Sequence, residues 1–233
     1  MNIPIYVSAI FILTSILTVA MFYRICKMVS FSVANEIVLG LGAWVILQGV
    51  VSASGFYLKT DAFPPRFALA VVPAFIAIIY FLATKRGQKF LNKLPLKYLT
   101  LLHICRVPVE IVLLWLYQNQ QIPQSMTFEG RNFDILSGLT ALPMAWFAFQ
   151  NGEIKRIPLL VWNIICLALV LNVVTIGILS APTPLQQWAF EQPNVGVLKF
   201  PFVWLPSVIV PIVILSHLMA IRRLLLKTGT PSV

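Results

Sequence analysis

The chain has 233 residues, of which 59% are hydrophobic and 10% charged, and it carries a net charge of +10. A soluble domain holds about 25% charged residues, so the composition excludes an ordinary soluble fold and predicts an all-α, polytopic integral membrane protein. The basic excess does not indicate nucleic acid as a partner, because Lys and Arg occur in short clusters between apolar runs, where they set topology.

Seven apolar runs predict a seven-transmembrane helix bundle, with spans at approximately 4–22, 37–57, 66–84, 97–117, 132–150, 157–180 and 202–221. Each is close to the ~20 residues that cross a bilayer. The first run is almost uniformly apolar, as a peripheral, lipid-facing helix would be. The second carries Gly40, Gly42, Gly49, Ser52, Ser54 and Gly55, small residues that let helices approach closely. That face is also where a homo-oligomer would form. After the third run, the connector from Gly87 to Lys97 alternates Lys with Phe and Leu and reads as a short interfacial helix on anionic lipid heads. The segment 181–201 is long for a loop and holds Leu185, Trp188 and Ala189 as an apolar face for the membrane interface. No second domain or internal repeat is visible, so residues 1–233 read as one transmembrane domain.

Most of the seventeen Lys and Arg fall after the first, third and fifth spans and at the C-terminal end. The positive-inside rule then puts the N-terminus outside and the C-terminus in the cytoplasm. Met1 to Ala9 has no basic n-region of the kind that precedes a cleaved signal. Cys26, Cys105 and Cys166 lie in or beside apolar runs without paired spacing, which argues against a disulfide framework.

The chemistry concentrates in the fourth run. His103, Arg106 and Glu110 are spaced i, i+3, i+7 and share one helix face. Charged groups at such depth cost roughly 2.5–3.5 kcal/mol or more each, so they must face protein or water. The fifth run is entered through Glu129, Arg131, Asn132 and Asp134, and the seventh carries His217. With the spans alternating in direction, these groups form a polar ladder. Glu129, Arg131 and Asp134 lead inward to Arg106 and Glu110, and then to His103 and His217 at a common depth. Arg106 and Glu110, at i and i+4, can also neutralise each other, which is the structural alternative. Two His at one depth further raise a metal or haem site, with His103 and His217 as ligands and an acidic partner. Metalloprotease, Walker, dinucleotide and nucleophile-elbow motifs are absent.

The run from Thr127 to Asp134, together with His103-x-x-Arg106-x-Pro108-Val-Glu110 and Pro64-Pro65-Arg66, resembles those of a group of small bacterial seven-span membrane proteins to which no function is attached. The resemblance implies a multi-pass protein of the bacterial inner membrane and supplies no cofactor, substrate or site residue. The expected partners are membrane lipids and a small polar solute or ion. The functional expectation is a small transporter or channel-like protein for protons, ions or a polar solute. A metal- or haem-dependent membrane enzyme and a seven-helix receptor or scaffold are the alternatives.

Overall fold

The computed structural model describes residues 3–226. Its helices are α1 (Ile5–Lys27), α2 (Phe31–Ala53), α3 (Ala68–Ala83), α4 (Lys85–Leu91), α5 (Leu96–Leu102), α6 (Arg106–Gln118), α7 (Ile135–Ala148), α8 (Arg156–Ser180) and α9 (Val210–Leu225). Among the described residues, five helical stretches are long and apolar enough to cross a membrane, and six if the bent α3–α4 pair is one span. The expected fifth span is shorter, because α7 has only 14 residues. Large apolar side chains such as Leu39, Trp146 and Ile157 point outward, at 72%, 71% and 75% exposure, whereas a water-soluble surface of this kind would aggregate. The long apolar helices therefore suggest a membrane-embedded protein.

Local chemistry explains where these helices bend and stop. Thr84 caps α4 by accepting from the Gly87 backbone N–H (3.1 Å), and α4 turns by 86° from α3. A side chain at Gly87 would run into the Phe81 carbonyl, so the corner needs glycine. Gln88 donates to the Leu82 carbonyl (2.7 Å) and accepts from Arg222 (2.8 Å), which ties the corner to α9. Of the basic connector, α4 covers only the part up to Leu91, and the connector's Leu91, Leu94 and Leu96 are buried against the protein.

α9 is preceded by a π-helical turn at Leu205–Ile209. Pro211 has no N–H to donate to the carbonyl of Ser207, and the indole of Trp44 on α2 donates to that carbonyl instead (3.0 Å). A tight hairpin, Phe149–Gln150 with Glu153–Ile154, joins α7 to α8. Its turn residues Asn151 and Gly152 both have positive φ (54° and 77°), as a two-residue hairpin with the strand twist requires.

The connections collect at two ends. One holds the α3–α4 corner, the hairpin and the end of α9, where Arg156 donates to the Leu226 carbonyl (2.9 Å) and Arg223 to that of Leu94. At the other end the two long loops pack on each other. The Gln121 carbonyl accepts from the N–H groups of Val195 (3.0 Å) and Gly196 (2.7 Å), and Lys199 donates to the Gln121 side chain (2.6 Å). The 181–201 segment has no regular helix before Gly196–Leu198, and Leu185 and Trp188 are exposed. The small residues of α2 do not act as one seam. A Cβ added at Gly49 would meet Phe200 and Trp204 at 3.4 Å, while Gly40 and Gly42 have open space beside them.

α5–α6 and α9 form the interior, with 61% and 72% of their apolar windows buried against 17% for α2. The two best-buried stretches are thus those that carry His103, Arg106, Glu110 and His217.

Candidate functional site

The site is built where α6 is interrupted. A 3₁₀ turn at His103–Cys105 separates α5 from α6, and Pro108 cannot donate to the carbonyl of Ile104. α7 packs closely against this junction through Gly138. A Cβ there would lie 2.7 Å from Val107 Cγ2 and 2.9 Å from the Val107 backbone nitrogen. Asp134 is one turn before Gly138 on the same face, so the close approach at Gly138 carries Asp134 to Arg106. α7 consequently starts level with Glu110, two turns, or about 12 Å, short of the end of α6. The segment 119–134, which contains no α-helix, fills that depth. Such backbone is tolerated inside a membrane protein when it is enclosed by protein, and here Gln121, Thr127 and Asn132 are buried.

Arg106 is enclosed, and each of its three side-chain nitrogens has a hydrogen-bond partner. Its Nε donates to Asp134 Oδ2 (2.6 Å) and its Nη2 to Asp134 Oδ1, a bidentate pair with both side chains nearly inaccessible. Nη2 also lies 3.3 Å from the Cys166 carbonyl, and Nη1 donates to His217 Nε2 (3.0 Å). A guanidinium has no acceptor, so His217 Nε2 presents its lone pair and the ring proton sits on Nδ1. That proton is donated to Asn163 Oδ1 (2.9 Å), while the Asn163 amide donates to the Leu159 carbonyl (2.8 Å). His217 is therefore neutral.

His103 stacks on His217 with centroids 3.8 Å apart and planes 10° from parallel. Trp162 meets His103 nearly edge-on at 5.5 Å and donates its indole N–H to Thr140 (2.9 Å). Nδ1 of His103 is buried without a hydrogen-bond partner among the described residues. The common depth expected for the two histidines is found. Their geometry does not suit shared metal ligation. Lone pairs of imidazole lie in the ring plane, so parallel stacked rings do not converge on one ion, and both nitrogens of His217 are occupied. Among the described residues, no group of three or more His, Cys, Asp or Glu is placed to hold a metal.

Glu110 has a different partner from the one its spacing predicts. Asn132 Nδ2 donates to both of its carboxylate oxygens (2.8 and 2.7 Å) and to the Met126 carbonyl (2.9 Å), and Asn132 Oδ1 accepts from the Asp134 backbone N–H (3.0 Å). Arg106 thus pairs with Asp134, not with Glu110. Glu129 and Arg131 stand outside the cluster, with Arg131 exposed; the Arg131 carbonyl accepts from Asn172 (2.8 Å). The expected ladder contracts to one connected group that runs Glu110–Asn132–Asp134–Arg106–His217–Asn163, with His103 stacked at its end. Asn163, Trp162 and the Cys166 carbonyl join it from α8. A polar Asn within an otherwise apolar run was the available signal for them.

Arg106, Glu110 and Asp134 open onto a cavity of about 80 Å³ whose other walls are mostly apolar, among them Phe67, Phe75, Val170 and Val213. Asn194 also faces it, with its amide on the Gly177 carbonyl (3.0 Å) and its Oδ1 unpaired among the described residues.

The fold and site together define an all-helical protein with membrane-type helices around one buried ionic cluster. The chain belongs to the family described as a domain of unknown function (DUF8737), whose model matches residues 63–225. That match contains every residue of the cluster. No curated protein and no solved structure matches the chain.

Proposed function

We propose that the chain is a small transporter or channel-like protein in which Glu110 exchanges a proton or a small cation from within the membrane. The observation that carries this reading is charge balance. One guanidinium, two carboxylates and a neutral His217 meet in the interior, and Asp134 alone takes the guanidinium in a bidentate pair. Among the described residues, Glu110 has no cationic side chain within ion-pair distance. An uncompensated buried carboxylate costs several kcal/mol, so Glu110 holds a proton or a cation that can leave. The adjoining cavity of about 80 Å³ has room for a handful of waters, a scale suited to protons and small ions.

In this reading the chain crosses a bacterial inner membrane seven times. α7 completes its crossing through the partly buried 119–134 segment, and the N-terminus is outside and the C-terminus in the cytoplasm. The reading is supported by the alternation of connections between two ends and by the basic residues gathered at one of them. The test is flux in proteoliposomes under imposed pH, sodium or potassium gradients, read with a pH-sensitive dye in the lumen and ion-selective electrodes outside. Glu110→Gln should lower flux at least tenfold while the protein keeps its thermal stability. A folded Glu110→Gln protein with full flux would overturn the proposal.

A further inference from the structure

A second and larger cavity shares no lining residue with the one at the ionic cluster. It has a volume of about 510 Å³ and is walled by α2, α3, α4 and the π-turn and start of α9, with Phe22 from α1. Its lining is almost wholly apolar, including Phe22, Leu41, Trp44, Ala77, Phe81 and Phe90. Gly40, one of the lining residues, is exposed, and a Cβ added there would meet nothing within 4 Å. From Val33 to Trp44, the lining covers eleven residue steps of α2, or about 16 Å along the helix. This is an elongated slot, open at the flank of the bundle, with a size in the ~300–1,000 Å³ range of small-ligand sites.

Its charged residues sit together at one end. Glu36 on α2 and Arg86 on α4 are 3.8 Å apart, and both side chains are well exposed. They stand at the bundle end where α4 lies across the helix axes, the level of lipid headgroups for an interfacial helix. An exposed pair of this kind binds itself only weakly, so its members are available to another zwitterion. Arg86 suits a phosphate and Glu36 an ammonium, adjacent to each other in the order that a phosphoethanolamine headgroup presents. We propose that this slot is a binding site for one phosphatidylethanolamine molecule, with an acyl chain along Trp44 and Ala77 and its headgroup between Arg86 and Glu36.

The experiment is native mass spectrometry of the full chain in mild detergent, after delipidation. Phosphatidylethanolamine or phosphatidylglycerol of identical acyl composition is added back. The expected result is a single retained phosphatidylethanolamine, favoured at least fivefold over phosphatidylglycerol. Ala77→Trp fills the slot and should reduce retention at least tenfold with the melting temperature unchanged. Glu36→Gln with Arg86→Gln should remove the headgroup preference while leaving weaker binding. Equal retention of both lipids by the unaltered protein would overturn the headgroup assignment. Undiminished retention by a folded Ala77→Trp protein would overturn the site. Neither result depends on flux through Glu110.

Discussion

Replacing Asp134 by Asn tests the arrangement on which the interior depends. Asp134 supplies both acceptors of a bidentate pair, and the Arg106 and Asp134 side chains are 3% and 6% exposed. After the change the guanidinium keeps one amide oxygen at position 134, His217 Nε2 and a long contact to the Cys166 carbonyl, none of which carries charge. Removing one member of a buried pair costs about 3–5 kcal/mol, because the other charge remains in a low-dielectric site. For a chain of this length, each kcal/mol lowers the melting temperature by roughly 2–4 °C, so Asp134→Asn should melt about 6–20 °C lower. Cys26, Cys105 and Cys166 are free and buried, and a thiol-reactive fluorogenic maleimide therefore reports unfolding in detergent without any added label. The double replacement Arg106→Met with Asp134→Leu removes both charges and should recover most of the loss. A shift below about 1 °C for Asp134→Asn would refute the pairing. A double variant less stable than the single one would refute the account of the cost as an orphaned charge.

Gly138→Ala places a methyl group 2.7 Å from Val107 Cγ2 and 2.9 Å from a backbone nitrogen that cannot move aside. It should cost about 1–3 kcal/mol as an overpacked contact, measured by the same thiol assay, and wild-type melting would show that α7 does not approach α6 this closely. Trp44→Phe keeps most of the ring but removes the donor to the Ser207 carbonyl. It should cost about 1–3 kcal/mol for the unsatisfied group, and an unchanged melting curve would mean that the carbonyl freed by Pro211 has another partner.

The stripe of His103, Arg106 and Glu110 was legible because three ionisable residues at i, i+3 and i+7 in an apolar run have few places to go. Burial of all three follows, as does the meeting of His103 with His217 at a common depth. The partner of Arg106 was not legible from spacing alone. Helical side chains lean toward the N-terminus of their helix, so Arg106 points toward the His103 turn and away from Glu110. An acidic residue C-terminal to a basic one at i, i+4 is the weaker order. The entry to α7 misled for another reason. Asn132 and Asp134 are buried while Arg131 and Phe133 are exposed, the alternation of an extended strand-like segment. Glu129 and Arg131 thus fall on the outward side of a run whose polar residues look uniform in sequence. The depth at which α7 begins is set by Gly138, a contact between distant parts of the chain that no local pattern encodes.

The cluster divides into a fixed part and an adjustable part. Asp134, Arg106, His217 and Asn163 satisfy one another with defined donors and acceptors, and Arg106 against Nε2 holds His217 neutral. Two stacked cationic rings would repel, whereas a neutral His217 lets His103 lie 3.8 Å from it. Among the described residues, Glu110 is joined to this part through the neutral amide of Asn132. The Asn132 amide nitrogen holds the Glu110 carboxylate, and its oxygen holds the Asp134 N–H at the start of α7. In the proposed exchange, loading or unloading Glu110 would change what that amide must satisfy at the first turn of α7. Gly138 and Asp134 tie that same turn to α6. The Glu110 carboxylate and the first turn of α7 are thereby linked by a single side chain that touches both.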